Sequence, residues 1–188
     1  MSKGKINWYS LPQLQKRIVL CLAKEGMQTR NEVKRKLGSA YKNVLFSFKS
    51  LEKRGIIRQM QTKKYRNREF PIYWLTEMGA LVALLHGAPK EKLLEKVLQL
   101  YPNNEILQCT IEMSEYLNPE VFKIGTSAII GKRKLDIADL MAIITVQMQT
   151  DSNMKKLRKA LETLKKYPTT HTAFKKMLSQ ISKIEQYV

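Results

Sequence analysis

Residues 29–57, which read TRNEVKRKLGSAYKNVLFSFKSLEKRGII, decide the fold. Thr29 followed three residues later by Glu32 is the capping-box pattern, and it predicts a short helix that ends at the next glycine. A second helix is expected to begin at Ser39 and to end at Gly55. Within it, apolar side chains recur at helical spacing, namely Tyr41, Val44, Leu45, Phe48 and Leu51. The stretch therefore predicts two consecutive helices joined by a tight turn.

Another helix is predicted before this stretch. Its apolar residues recur at the spacing of one helix face, and they are Leu11, Leu14, Ile18, Val19 and Leu22. Pro12 suits a first-turn position, and Gly26 is expected to end the helix.

The pattern changes from helical to extended after Gly55. Residues 56–61 and residues 70–75 are each expected to form a strand, and the basic residues 62–69 are expected to connect them as a hairpin tip. Pro71 favours an edge position for the second strand, because proline cannot donate a backbone hydrogen bond. Thr76 is then expected to cap a further helix.

Positive charge is concentrated in the first half of the chain. The 188 residues include 34 Lys+Arg and 16 Asp+Glu, a formal net charge of +18. Residues 1–88 hold 18 basic and 5 acidic residues, a net of +13, whereas residues 89–188 hold 16 and 11, a net of +5. A field of this sign attracts nucleic acid or an anionic membrane surface. A solubilising surface is the other explanation, and the charge does not distinguish them.

The order helix, helix, helix, strand, basic connector, strand, helix is that of a winged helix-turn-helix domain. Residues 38–57, with the run Leu-Glu-Lys-Arg-Gly-Ile-Ile at 51–57, resemble the recognition helix and first wing strand of winged-helix transcription regulators of the broad MarR/PadR type. Residues 73–79, Tyr-Trp-Leu-Thr-Glu-Met-Gly, look like the Tyr-x-Leu-Thr-x-x-Gly that often follows the wing there. The resemblance covers residues 11–87 and implies a fold more firmly than any one family.

The fold prediction is a mainly α chain with a small β-hairpin wing. Residues 1–88 are expected to form the winged helix-turn-helix DNA-binding domain. Residues 89–188 are expected to form an all-helical domain that serves dimerisation or the binding of an effector or partner. The first half is thus predicted to carry the nucleic-acid surface.

Two groups of residues are candidates for contacts with double-stranded DNA. A helix that enters the major groove presents side chains to base edges. The helix predicted from Ser39 to Gly55 is the third in the chain, and its candidates are Ser39, Lys42, Asn43, Phe46, Ser47, Lys49, Ser50 and Lys53. A basic wing positions the complex through phosphates, and its candidates are Lys63, Lys64, Tyr65, Arg66 and Arg68. For each helix residue considered separately, the alternative is an ordinary solvent-exposed position without a role in binding.

Two aromatic candidates have a competing structural explanation. Phe46 suits contact with a thymine methyl group, but packing against the wing or a partner helix is the favoured alternative. Tyr65 is divided between contact with nucleic acid and simple packing in the hairpin.

The second half of the chain shows helical patterns only. Met154, Leu157, Leu161 and Leu164 alternate by three and four, and the same spacing recurs from Phe174 to Val188. A break at residues 167–170 predicts an antiparallel helical hairpin with one apolar edge. That edge is expected to be buried either within the monomer or in a homodimer, which would match a two-fold DNA site.

No catalytic motif, cofactor motif or metal-ligand pattern stands out. Residues 125–132 have five residues between their two glycines, and Arg133 stands where a phosphate loop needs Ser or Thr. The chain has two histidines, and no Cys-x-x-Cys that could complete a zinc site. Cys21 and Cys109 lie in apolar helical patterns and are expected to be free core thiols. We therefore predict no enzymatic activity, no cofactor and no metal.

Targeting and membrane signals are also missing from the sequence. The longest apolar stretches, among them residues 80–85, are far shorter than the roughly 18 residues of a membrane span. The first ten residues lack the apolar core of a secretory signal. A cytoplasmic protein without membrane insertion is the resulting expectation.

The sequence-based function is a transcription regulator that binds specific double-stranded DNA. A replication or partition protein of a mobile element uses the same kind of domain, and so does a winged-helix module that binds RNA or protein within a larger complex. The sequence alone does not separate these alternatives.

Overall fold

The computed structural model describes residues 10–120, 122, 123, 126, 135–150 and 154–185. Within them the chain is mainly helical and has a small three-stranded antiparallel sheet. The described residues up to Lys96 form one compact unit, and those from Val97 onward form a second. The sequence-based division was at Ala88/Pro89. Most of the rejected phosphate-loop candidate, residues 127–132, lies outside the described residues.

The first unit contains four helices and all three strands. In chain order they are α1 (Gln13–Glu25), β1 (Gln28–Thr29), α2 (Arg30–Leu37), α3 (Tyr41–Lys53), β2 (Ile57–Tyr65), β3 (Arg68–Leu75) and α4 (Glu77–Leu85). The boundary between the units falls inside α5 (Lys90–Leu100). The second unit contains α6 (Glu105–Met113), α7 (Ile137–Thr150), α8 (Met154–Leu164) and α9 (Pro168–Glu185).

The core of the first unit forms where α1 packs against α3, α4 and β3. Its fully buried side chains include Ile18, Leu22, Phe48, Trp74 and Leu81. The indole N–H of Trp74 donates to the carbonyl oxygen of Leu22 at 3.0 Å, so the polar atom of the largest core residue is satisfied. This core fixes α3 on one side and leaves its other side exposed.

The sheet has the order β1-β3-β2, which makes β3 the central strand. The expected edge position for the strand that contains Pro71 is therefore wrong, although the proline is still accommodated. The two-residue β1 pairs with Ile72 and Tyr73 only, so β3 has β2 as its single neighbour at Pro71. A proline is tolerated there because no second strand needs its missing N–H.

The β2–β3 hairpin is longer than expected, and its turn is tighter. The predicted connector, residues 62–69, is mostly strand, and only Arg66 and Asn67 lie between β2 and β3. Both have positive φ, 45° and 57°, which is the geometry of a two-residue hairpin turn. The basic composition of residues 62–69 suggested a loop, but most of them continue the strands because residues 62–65 pair with residues 68–71. Their charged side chains stay in solvent because this part of the hairpin is exposed.

The helix boundaries follow local capping signals. The predicted capping box of α2 is confirmed, with the Thr29 backbone N–H and hydroxyl donating to the Glu32 carboxylate at 2.7 and 2.8 Å. The expected start of α3 at Ser39 is wrong, because the residue before its first turn is Ala40. At its other end, the N–H groups of Gly55 and Ile56 bond back to the last turn, as in a Schellman motif.

The capping box gives a prediction about pH. The bond from the Thr29 backbone N–H is the main reason that the pKa of Glu32 lies below its ordinary value. A carboxyl whose pKa is lowered by folding stabilises the protein above its unfolded pKa of about 4.3, and that contribution is lost as the pH falls through the folded value. We expect Glu32→Gln to lower the free energy of unfolding by about 0.5 kcal/mol at pH 7, and to lower it less at pH 3.

Urea unfolding of the wild type and the Glu32→Gln variant between pH 3 and pH 7 measures this difference. Glu52→Gln is the matched control, because Glu52 is an exposed glutamate on α3. An equal difference between wild type and Glu32→Gln at both pH values would contradict the prediction.

The second unit is a helical bundle in which α6 packs against α7, α8 and α9. The predicted break between the last two helices is confirmed, and α9 begins at Pro168. The Glu105 carboxylate accepts from the backbone N–H groups of Thr169 and Thr170 at 3.0 and 3.2 Å, which anchors the start of α9 to α6. Glutamate is favourable there because a helix N-terminus has exposed N–H donors.

The apolar edge of α8 and α9 is largely buried within this unit. Leu157, Leu164 and Phe174 are between 1% and 6% exposed, whereas Leu161 and Met177 are half-buried. Packing within this unit therefore covers most of the described part of the edge. The side chains of residues 180–188, which include the rest of the predicted seam, lie outside the description.

No helix in the described residues is long and apolar enough to cross a membrane.

Both cysteines are free, as predicted, with Cys109 buried and Cys21 half-buried. Burial raises the pKa of the Cys109 thiol to about 12.

Candidate nucleic-acid interface

The outward side of α3 carries lysines around one phenylalanine. Its buried residues, Val44, Ser47, Phe48 and Leu51, turn the opposite side of the helix toward the core. At 3.6 residues per turn, the outward side is a stripe of exposed residues spaced four, three and four apart, namely Lys42, Phe46, Lys49 and Lys53. We call these four residues the α3 stripe. Asn43 is exposed and Ser50 half-buried beside it.

Two of the predicted helix candidates do not fit a groove-facing role. Ser47 is 9% exposed and lies on the core side of α3, so the prediction that it lies on the groove-facing side is wrong. The spacing of Ser47 from Val44 and Leu51 indicates the buried side of the helix, but its polar side chain led to the opposite prediction. Ser39 lies before α3, half-buried, and its hydroxyl donates to the Leu37 carbonyl oxygen at 3.4 Å. It occupies the turn between the helices and is not part of the α3 stripe.

Phe46 is 57% exposed. The alternative that it packs against the hairpin is therefore wrong, since most of the ring faces solvent. The three lysines of the α3 stripe surround it along the helix. An apolar ring thus lies at the centre of a positively charged surface.

The β2–β3 hairpin has two chemically different faces. Residues paired across antiparallel strands share a face, and successive residues alternate between faces. Tyr65 pairs with Arg68, and Lys63 lies two residues before Tyr65, so these three residues share one face. Lys64 pairs with Glu69 on the other face, where its Nζ atom lies 3.3 Å from a carboxylate oxygen. The positive charge on that second face is therefore partly compensated.

The tip of the hairpin combines a cation and an aromatic ring. The Arg66 guanidinium lies 5.3 Å from the centroid of the Tyr65 ring, a cation–π distance. Tyr65 is still 57% exposed, so packing in the hairpin does not bury it. Within the described part of the chain, Lys63, Arg66 and Arg68 form no ion pair with a carboxylate. The first hairpin face and the tip are thus positively charged and open to solvent.

A small cavity joins the hairpin to the two helices before it. Its volume is about 40 Å³, and its lining comes from the start of α2, the start of α3 and the start of β3, namely Thr29, Arg30, Asn31, Tyr41, Phe70 and Pro71. Lys63 is also close enough to Glu32 to contribute to its lowered pKa, after the larger effect of the Thr29 hydrogen bonds. The starts of α2 and α3 and the hairpin therefore belong to one continuous surface.

Arg30 links the elements beneath this surface, and sequence reasoning missed it. Its guanidinium lies 4.7 Å from the ring centroid of Tyr73 and 5.9 Å from that of Phe48, and it donates to the Tyr73 hydroxyl. The two rings meet edge to face at 5.1 Å. Arg30 of α2 thereby fixes α3 against β3, which positions the α3 stripe relative to the hairpin.

Tyr41 was expected in the apolar stripe of α3, and that expectation is wrong. It is 45% exposed and lies in the first turn of the helix. Tyr41 instead lines the cavity beside Phe70. Tyr41 therefore belongs among the candidate interface residues. In the sequence, only its position at the start of the helix indicates that it is exposed.

The charge balance of this part of the chain is strongly positive. Residues 30–75, from α2 through β3, contain 13 basic and 3 acidic residues, a net charge of +10. Among the described residues, no group of three or more His, Cys, Asp or Glu side chains is arranged to hold a metal ion. The chemistry that the surface offers is attraction of a polyanion, together with exposed aromatic rings and exposed side-chain amides, among them Asn43 on α3.

Comparison of the chain with protein-family models, with curated proteins and with solved structures found no match.

Proposed function

We propose that the protein binds double-stranded DNA at specific sites as a transcription regulator of the winged helix-turn-helix class. In this proposal α3 is the recognition helix and lies in the major groove, and the β2–β3 hairpin is the wing on the adjacent backbone or minor groove. The single observation that carries it is that one compact unit presents both an exposed lysine stripe on α3 and an exposed, positively charged hairpin face.

The elements and side chains of this surface suit a duplex. An α-helix fits the major groove of B-DNA, and its exposed side chains can then reach base edges. Asn43 is suited to paired hydrogen bonds with adenine, and lysine to guanine. Lys63, Arg66 and Arg68 are suited to phosphate contacts, which position the protein without reading sequence. Base reading and backbone contact are thus divided between two elements.

A homodimer that binds a two-fold site is part of the proposal, but it needs another interface than the described apolar edge of α8 and α9. Burial of Leu157 and Leu164 within the unit leaves that edge mostly covered. Sedimentation at micromolar concentration tests the dimer, and a monomer in solution would remove it.

The division between base reading and backbone contact is tested with α3 variants. We expect Asn43→Ala or Lys49→Ala to change the preference between base pairs at one position of the site, by about 1 to 3 kcal/mol if a paired contact is lost. Binding to a set of single-base-pair variants of the preferred duplex measures this change. Lys92→Ala is the matched control, because Lys92 is an exposed lysine of α5 outside the proposed interface.

The duplex series has two informative outcomes. A changed preference at one position supports base reading by α3, whereas an equal loss of affinity for every duplex would make these residues backbone contacts. A separate measurement with a structured RNA tests the partner itself, and tighter binding to that RNA than to any duplex would overturn the DNA proposal.

A further inference from the structure

We propose that Phe46 makes the recognition helix sensitive to the methyl group at C5 of a pyrimidine in the major groove. The inference rests on the proposed function and adds the chemical group that sets its specificity. It starts from the observation that a large apolar ring, 57% exposed, lies at the centre of a stripe of lysines.

The surroundings of Phe46 restrict what can cover the ring. Lys42 is one helical turn before it, and Lys49 and Lys53 follow one and two turns after it, all exposed. Three positive charges around the ring favour a polyanionic partner and disfavour an apolar protein surface that would desolvate them. The partner must therefore bring an apolar group to the middle of a negatively charged surface.

The major groove of DNA has one such group. Base edges there present hydrogen-bond donors and acceptors, and the apolar exception is the C5-methyl group of thymine. A 5-methylcytosine places the same methyl group at the same position of the pyrimidine ring. Phe46 faces outward between Lys42 and Lys49, so a helix seated in the groove directs the ring toward the base edges rather than the phosphates.

The exposed residues beside Phe46 complete a reading surface. Asn43 and Lys49 lie three residues before and after Phe46, on the exposed part of α3. Their amide and ammonium groups suit adenine and guanine. A purine contact next to an apolar methyl contact would define a short sequence, and methylation of a cytosine at the pyrimidine position would change the affinity.

The test uses the preferred duplex from a selection on random DNA. Each thymine of that duplex is replaced in turn by deoxyuridine, which removes the C5-methyl group and nothing else, and each cytosine by 5-methylcytosine. We expect one position at which binding weakens about fourfold with uracil or strengthens about fourfold with 5-methylcytosine, which is the change that corresponds to one buried CH₂ group. The uracil result identifies thymine as the source of the methyl group, and the 5-methylcytosine result identifies methylated cytosine.

The methyl effect is assigned to Phe46 by combining the change in the protein with the change in the DNA. In the Phe46→Ala variant, the methylated and unmethylated duplexes should bind equally well. Tyr65→Ala is the matched control, because Tyr65 is also an aromatic residue that is 57% exposed, but it lies at the hairpin tip. This control should keep the full methyl effect. Thermal unfolding of both variants checks that the fold is intact. We expect it to be intact, because the side chains of Phe46 and Tyr65 are both exposed.

The failures of the two proposals differ. Sequence-specific binding to duplex DNA that ignores every methyl group, or a methyl effect that persists in Phe46→Ala, overturns this inference and leaves the proposed function standing. A selection that returns no preferred duplex overturns both. Loss of binding to single strands in Phe46→Ala, without a methyl effect, would also overturn this inference, because the ring would then stack on unpaired bases.

Discussion

Replacing Lys63, Arg66 and Arg68 together with alanine is expected to weaken binding to every duplex on the order of a hundredfold at 0.15 M salt. The three residues are exposed and, within the described residues, have no carboxylate partner. Each phosphate contact releases about 0.9 counterions from B-DNA, so three lost contacts should reduce the slope of log affinity against log salt by about 2.7. The loss should be equal for preferred and scrambled duplexes, because phosphate contacts carry no sequence information.

Two controls separate hairpin contacts from net charge. Alanine at Lys155, Lys165 and Lys175 removes the same number of exposed charges from the second unit. It should have a much smaller effect if contact, and not the overall field, explains the binding. Lys64→Ala alone should matter less than Arg68→Ala, because Lys64 lies on the face with Glu69. Equal losses in both triple variants would remove the hairpin from the interface.

Replacing Gly79 with alanine is expected to destabilise the first unit by about 3 kcal/mol or more. Helix propensity alone gives the opposite sign, since alanine in a helix is favoured over glycine by about 1 kcal/mol. The steric clash outweighs the gain in helix propensity, because a Cβ atom at Gly79 would lie 1.9 Å from the backbone carbonyl oxygen of Ile56. That carbonyl also accepts from the Thr76 backbone N–H at 3.0 Å, so it is held in place.

Urea unfolding of the Gly79→Ala variant measures this effect. Gly38→Ala is the control, because Gly38 has a φ of +60° but nothing within 4 Å of a new Cβ atom. The control should lose only the cost of left-handed backbone, about 1 to 2 kcal/mol. A Gly79→Ala variant as stable as the wild type would contradict the close approach of α4 to Ile56.

Local signals in the sequence predicted much of this fold correctly. The Thr29–Glu32 capping box, the Thr76 cap and the glycines after α1 and α2 act within a few residues, so their patterns can be recognised without knowing the fold. The Tyr-x-Leu-Thr-x-x-Gly resemblance also contained Gly79, but its physical reason, contact with Ile56, became visible only in three dimensions.

The errors arose where distant contacts decide the structure. The two-residue β1 has no local strand signal and exists because Gln28 and Thr29 pair with β3. The charged residues 62–69 resemble a loop in composition, whereas the pairing of β2 with β3 makes most of them strand. The role of Arg30 between Phe48 and Tyr73 depends on three elements meeting, and no spacing along the chain indicates it.

The exposure of the candidate residues on α3 was predicted correctly for the lysines and wrongly for Ser47 and Tyr41. The lysines of the α3 stripe and the basic hairpin residues are exposed as a DNA interface requires. Ser47 was assigned by its polarity, although its spacing from Val44 puts it on the core side. Tyr41 was assigned by its apolarity, although it lies exposed in the first turn of α3.

The most direct test of the central proposal is a selection of bound fragments from random duplex DNA, followed by salt-dependent affinity measurements on the selected duplex and on a scrambled duplex of the same composition. We predict a defined motif that binds at least about a thousandfold more tightly than the scrambled duplex, as for site-specific regulators. Equal affinities for the two duplexes, with the same steep dependence on salt, would contradict the proposal and leave a protein that binds polyanions by charge alone.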